Sequence, residues 1–246
     1  MELDVVFLPL GLGNLLGRTA VVIDVLRATT TIITALQNGC PEVLPVELPE
    51  EASELARKFG REGHLVGGER KGLKVEGFDL GNSPGEYTPE ALAGRKVILC
   101  TTNGTGAIKR VAASQARPLY LAAFLNAPAV AARIVREGNP TTIVCSGREE
   151  SFSLEDALCA GLIASRVLHH EGWEATDGAR AAVALWESFG GGEDLGRVLA
   201  ATDHGRYLAS IGFAEDLALA GRIGTHDLIP VWREGRVLAL NDDDDR

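Results

Sequence analysis

Val21-Val22-Ile23-Asp24-Val25-Leu26-Arg27-Ala28-Thr29-Thr30-Thr31 reads as a β-branched strand that ends on a carboxylate and passes directly into a helix. Polar residues at the carboxyl end of a strand, just before a helix, mark the edge where open α/β sheets bind ligands. A carboxylate placed there is held rigidly and can ligate a metal or attack phosphorus. Arg27 offers a planar fork for an anion, and Thr29 and Thr30 stand where a helix start presents N–H groups and hydroxyls to phosphate. The competing structural reading pairs Asp24 with Arg27 and uses a threonine as the helix cap.

Outward from this segment the same alternation continues. Strands are expected at Val5–Leu8, Ala20–Ile23, Val43–Val46, Leu65–Val66, Val97–Cys100, Leu119–Ala122, Thr141–Cys145, Leu228–Trp232 and Val237–Leu240. Helices are expected at Thr29–Asn38, Glu50–Lys58, Thr105–Ala113, Ala127–Glu137, Ser153–His170, Ala175–Phe189, His204–Ile211 and Ala214–Ala220. The pattern predicts an α/β protein whose parallel or mixed sheet is flanked by helices. The final pair of strands, split by Arg233-Glu234-Gly235, is expected to extend an edge of that sheet, and Gly190-Gly191-Gly192 to be a flexible break. A length of 246 residues suits one domain over residues 1–240, with room for two lobes. Residues 241–246, with Asp242 to Asp245 in an unbroken run, read as a solvated, disordered tail.

Composition excludes several classes. A net charge of -10 argues against nucleic acid as a partner, because a basic face is needed to neutralise phosphates. It leaves room for a small anionic ligand held by a few arginines, backbone N–H groups and a metal. No apolar run reaches the ~20 residues of a membrane span, and no secretory leader pattern opens the chain, so we expect a cytoplasmic protein without a membrane partner. Cys40, Cys100, Cys145 and Cys159 form no CxxC pair and read as reduced, mostly buried thiols.

Two further strand ends carry chemistry. Thr101-Thr102-Asn103-Gly104 follows Val97–Cys100, and its small hydroxyl residues and glycine allow backbone N–H groups to approach an oxyanion, although it lacks the spacing and lysine of a Walker loop. Ser146-Gly147-Arg148-Glu149-Glu150 follows Thr141–Cys145 and leads to Ser153-Leu154-Glu155-Asp156, where Asp156 is either the far half of a capping box or a metal ligand. Gly67-Gly68-Glu69-Arg70-Lys71-Gly72 reads as a flexible charged cover over a ligand, and Asn82-Ser83 as a rigid turn before Pro84. His204, in Asp203-His204-Gly205, is placed to carry a proton or to sit beside a helix cap.

Six ordered blocks resemble the 2-phosphosulfolactate phosphatase (ComB-like) family: VIDVLRATTTIITAL (Val22–Leu36), GGER (Gly67–Arg70), GFDLGNSP (Gly77–Pro84), TTNGT (Thr101–Thr105), FLNA (Phe124–Ala127) and FSLEDALCAG (Phe152–Gly161). The resemblance spans nearly the whole chain. It implies a three-layer α/β fold, an oligomer, expected as a homodimer, and Mg²⁺-dependent hydrolysis of 2-phospho-3-sulfolactate, a small anionic phosphorylated substrate. Asp24, Arg27 and Asp156 are the expected catalytic residues, with Asp24 and Glu69 or Asp156 holding the metal. Thr29, Thr30, Arg70, Asn82, Ser83, Thr101, Thr102, Asn103, Gly104, Asn126, Ser146 and Gly147 are expected to bind substrate. The alternatives are a phosphatase of the same fold for another 2-phospho acid, or a non-catalytic binder of a phosphorylated or sulfonated metabolite.

Overall fold

The chain enters the sheet through β1 (Glu2–Val6) and β2 (Thr19–Ile23), and α1 (Ala28–Gln37) begins directly after the turn that carries Asp24. Next come β3 (Val43–Val46), α2 (Pro49–Phe59), β4 (His64–Arg70), β5 (Leu73–Lys74), α3 (Pro89–Leu92), β6 (Lys96–Cys100) and α4 (Gly104–Ala113). The middle of the chain forms β7 (Leu119–Ala122), α5 (Ala127–Glu137), β8 (Thr141–Cys145) and α6 (Leu154–Leu168). It closes with β9 (Glu174–Ala175), α7 (Asp177–Phe189), α8 (Leu195–Ala201), α9 (Asp203–Ser210), α10 (Ala214–Ala220), β10 (Pro230–Arg233) and β11 (Arg236–Ala239). This computed structural model describes residues 1–60, 62–190 and 194–240. The expected flexible break at Gly190-Gly191-Gly192 therefore falls partly, and the acidic tail wholly, outside the described residues.

All five residues of β2 are buried because both faces of the sheet are covered. Val21 and Ile23 pack with residues of α5, α6 and α7, whereas Ala20 and Val22 pack with residues of α1 and α4. The result is the three-layer arrangement of helices on a mixed sheet. No described helix is long and apolar enough to cross a membrane. All four cysteines are buried and free.

The strand order is β5-β4-β6-β3-β11-β10-β7-β2-β8-β1-β9. It corrects the expectation for the last hairpin: β10 and β11 sit in the interior of the sheet, not at an edge. They join two parallel blocks, β4-β6-β3 and β7-β2-β8-β1-β9, by antiparallel pairs to β3 and β7. Buried Val231 and Val237 occupy those junctions. Local alternation marks a strand but not its neighbours, which is why the sequence pattern left this position open.

The hairpin has a geometric consequence. Because β11 opposes β3, β10 opposes β11, and β7 opposes β10, the two blocks run in opposite directions across it. Neighbouring strands also rotate by roughly 20 to 25° per step, so the run from β6 to β2 accumulates more than ~100° of twist. Residues at the carboxyl ends of strands from both blocks line one cavity: Asp24 after β2, Glu69 in β4 and Thr101 after β6.

A second correction concerns Gly67–Arg70, expected as a loop and found inside β4. Its glycines serve close packing. A Cβ on Gly68, whose φ is +144°, would stand 1.9 Å from the Cys100 carbonyl oxygen, and one on Gly67 would stand 2.2 Å from the Tyr87 hydroxyl.

Candidate active site

The loops after β2, β6 and β8, the end of β4 and one face of α9 enclose a cavity of about 190 Å³. Its floor is acidic. Asp24, 6% exposed, follows β2, and the first turn of α1 is built around it: the Ala28 N–H donates to Asp24 Oδ1 at 3.3 Å, and the Thr29 N–H to its carbonyl oxygen at 3.0 Å. A helix start is the favourable place for such a carboxylate. Burial nevertheless raises its pKa to about 6, with the charges of Glu69 and Glu155 adding to the rise and His204 and the Ala28 N–H opposing it.

Glu69, at the end of β4, accepts hydrogen bonds from the Gly72 N–H at 2.8 Å, the Thr102 N–H at 2.7 Å and the Thr102 hydroxyl at 3.1 Å. The floor is thereby tied to the β6–α4 loop. At the start of α4, a Cβ on Gly104 would meet Ala28 Cβ at 2.4 Å and Asp24 Oδ2 at 2.5 Å. Glycine there lets α4 approach α1 and leaves room for the carboxylate.

Arg27 lines the cavity but is already neutralised. Its Nη1 donates to Asp216 Oδ2 at 2.8 Å, its Nη2 to the Gly72 carbonyl at 2.6 Å, and its guanidinium lies 4.2 Å from the Phe213 ring centroid. Asp216 also accepts from Ser83 Oγ at 2.6 Å. Beside it, Asn82 reaches the cavity with its buried Oδ1 lacking a donor among the described residues. A buried acceptor without a donor is costly, and a cation or a water proton is what such an oxygen calls for.

On the opposite wall, His204 Nδ1 lies 3.2 Å from Glu155 Oε1. Burial pushes the Glu155 carboxyl up, but the hydrogen bond and charge of His204, with help from its own amide and Ser153, hold it below its ordinary value. The imidazole is thus anchored through one nitrogen by a buried carboxylate. Lys71, Asn103, Arg148 and Tyr207 complete the rim.

Several expected residues lie behind the site. The Asp156 carboxylate accepts from the Val25 N–H at 2.8 Å, the Ser146 hydroxyl at 3.1 Å and the Gly147 N–H at 3.2 Å, so it braces two loops and does not line the cavity. Burial, with the charges of Asp24 and Glu155, pushes its pKa well above the carboxylate range. Ser153 does cap α6 through the Asp156 N–H, but the Asp156 side chain does not reach back to complete a capping box.

Thr29 and Thr30 spend their hydroxyls on the carbonyls of Asp24 and Val25, at 2.8 and 2.7 Å. Arg70 turns away, donating to the Glu47 and Glu69 carbonyls and to Cys100 Sγ. Asn126 is buried where its amide donates to the Leu121 and Leu228 carbonyls, and Ser83 serves Asp216. Thr101 is both lining and scaffold, since its Oγ1 accepts from the Thr105 N–H at 3.1 Å. Sequence reasoning missed Asp216 and Tyr207, which come from the helical last third and carry no motif; their only signal is a polar residue on an amphipathic helix.

Residues 11–235 match the family described as 2-phosphosulpholactate phosphatase. The chain belongs to that family. It is accordingly an enzyme, a phosphoric monoester hydrolase. Among curated relatives, it is 42% identical over 228 residues to a probable 2-phosphosulfolactate phosphatase of Symbiobacterium thermophilum, covering 92% of this chain and 96% of that one. It is 41% identical over 236 residues to one of Pseudothermotoga lettingae, covering 96% and 98%, and 43% identical over 217 residues to one of Deinococcus radiodurans, covering 88% of each. For this 2-phosphosulpholactate phosphatase family member, four of the six blocks that carried the resemblance reach the cavity, through Asp24 and Arg27, Glu69, Asn82, and Thr101 to Asn103.

Proposed function

We propose that this enzyme hydrolyses 2-phospho-3-sulfolactate to 3-sulfolactate and phosphate with Mg²⁺ as cofactor. The observation that carries this reading is the charge layout of one small cavity, with two carboxylates on its floor and cations on its rim. An ester with three anionic groups needs both, because its phosphate must be offset at the reacting end and its other anions at the far end.

The donor set suits the metal. Asp24 and Glu69 are hard oxygen ligands, Asn82 Oδ1 is an oxygen without a donor, and Mg²⁺ commonly takes one or two carboxylates and completes its shell with water and substrate phosphate. Among the described residues no group of three His, Cys, Asp or Glu side chains is arranged to hold a metal, which fits that sparse mode better than an all-protein cage. Asp24 and Glu69 would hold the ion, which supplies Lewis-acid stabilisation of charge on the phosphoryl oxygens.

The chain's own groups supply the rest. The amides of Asn82 and Asn103 orient phosphoryl oxygens. Hydrolysis forms a bond from water oxygen to phosphorus, breaks the bond from phosphorus to the ester oxygen, and leaves an alkoxide that needs a proton. His204, anchored at Nδ1 by Glu155, donates that proton from Nε2 and is reprotonated by the proton that the attacking water gives up.

The test is phosphate release from 2-phospho-3-sulfolactate, 2-phospholactate and phosphoglycolate, each with Mg²⁺ and with a chelator. Metal-dependent release, fastest from the first, is the expected result. Tight binding without release from any of them would make the protein a binder, and equal release in chelator would remove the metal from the reading.

A further inference from the structure

The mouth of the cavity holds two cations that the described protein does not neutralise. Lys71 is the first residue of the two-residue turn between β4 and β5, where Lys71 and Gly72 have φ of +51° and +74°, as in a tight type I′ hairpin. The turn is fixed from several sides: the Gly72 N–H is bound by Glu69, the Gly72 carbonyl accepts from Arg27, and the Lys71 carbonyl accepts from the Tyr207 hydroxyl at 2.9 Å. Arg148, on the β8–α6 loop, places its guanidinium carbon 4.9 Å from the centroid of the Tyr207 ring.

Tyr207 therefore links the two cations, one through its hydroxyl and the other through its ring. It stands three residues after His204 on α9, a spacing that puts both on one helix face. Among the described residues neither Lys71 nor Arg148 has a carboxylate in ion-pair range, and Glu149 lines the same rim without pairing with them. Arg27, which also lines the cavity, has Asp216 at 2.8 Å. In a chain of net charge -10, unneutralised cations lining a cavity leave the counter-charge to the ligand.

We infer that Lys71 and Arg148, positioned by Tyr207, bind the anionic groups of the substrate other than its phosphate, and so select a phosphate ester that carries a carboxylate and a second anion such as a sulfonate. The inference rests on the phosphatase reading above, which assigns the phosphate to the Asp24 and Glu69 floor. A guanidinium fork suits a carboxylate, and an ammonium suits the three-oxygen face of a sulfonate as a point charge. Tyr207 is a positioning residue, holding the turn and the guanidinium without consuming either charge.

Three esters separate the possibilities: 2-phospho-3-sulfolactate with both extra anions, 2-phospholactate with the carboxylate alone, and ethyl phosphate with neither. For Arg148→Met and Lys71→Met we expect KM for the first ester to rise roughly ten- to a hundred-fold with kcat within about threefold, and kcat/KM for ethyl phosphate to stay within about twofold. Tyr207→Leu should reproduce the KM effect, while Tyr207→Phe, which keeps the ring, should retain the larger part of wild-type selectivity. An equal fall on all three esters would overturn the inference by moving the cations to the phosphate. Unchanged KM for the first ester would overturn it outright.

Calorimetric binding of 3-sulfolactate, which carries both extra anions and no phosphate, reads the clamp without turnover. Binding weakened about tenfold or more in Arg148→Met supports the inference even if wild type hydrolyses no ester, the result that would sink the phosphatase reading instead. Equal binding by wild type and variant, or no binding by wild type, would overturn it.

Discussion

At the floor of the cavity Asp24 and Glu69 are each 6% exposed and their neighbours are committed: α1 is built around the first, and three donors from two loops converge on the second. At the mouth Lys71 is exposed and Arg148 half-buried, and they are held by contacts that leave their charge unspent. The floor carries negative charge that burial makes costly. The mouth carries positive charge that solvent keeps cheap until a ligand displaces the water. An acidic floor committed to the fold and a basic rim with its charge unspent are the division of labour expected when chemistry happens at one end of a ligand and recognition at the other.

The largest expected effect comes from breaking the floor. Asp24→Asn should lower kcat by ~10³-fold or more, as loss of a group acting at the reacting centre does. The same variant should be more stable at neutral pH. The folded-state pKa of Asp24, about 6, lies above the ordinary 3.8, so its contribution to stability is fully present below pH 4 and is lost as pH rises through about 6. For wild type that loss amounts to up to ~3 kcal/mol by pH 7.5. Thermal melts at pH 4.5 and 7.5 check both, and an unchanged slope in the variant would acquit Asp24.

Next is the contrast between the two arginines. Asp216→Ala strands the buried Arg27 guanidinium and should destabilise the fold by about 3 to 5 kcal/mol, measurable by urea unfolding. Arg148 has no carboxylate partner among the described residues, so Arg148→Met should change stability by less than ~0.5 kcal/mol while impairing substrate binding. Comparable losses from both would erase the distinction between a cation spent on the fold and one left for the ligand.

The smallest effect tests the wall between them. Glu155→Gln keeps a hydrogen-bond acceptor for His204 but removes the charge, and should lower kcat about tenfold with KM nearly unchanged. Steady-state kinetics against pH read it, since the variant should also shift the pH dependence of kcat. A change confined to KM would assign His204 to binding.

Much of the fold was legible locally. Ala127–Glu137 and Ala214–Ala220 form helices over the residues expected, and β3, β7 and β8 match their apolar runs, because strand and helix periodicities are short-range properties of the chain. Gly67–Arg70 misled because paired glycines usually signal a loop, whereas here they answer to Tyr87 and Cys100 in neighbouring segments. The last hairpin misled because its own residues do not encode which strands flank it.

The site shows the same boundary more sharply. Sequence alone placed Asp24 and Thr101 to Asn103 at the ends of strands, and the resemblance in ordered blocks brought in Glu69 and Asn82, which the local pattern read as loop residues. Only tertiary structure decided which polar groups are spent and which remain available. Asp156 braces Val25 across 131 positions of sequence, and Arg27 is neutralised by Asp216 across 189. A carboxylate or guanidinium in a motif has the same chemistry whether free or paired, and its partner is chosen by the twist and packing that bring distant segments together.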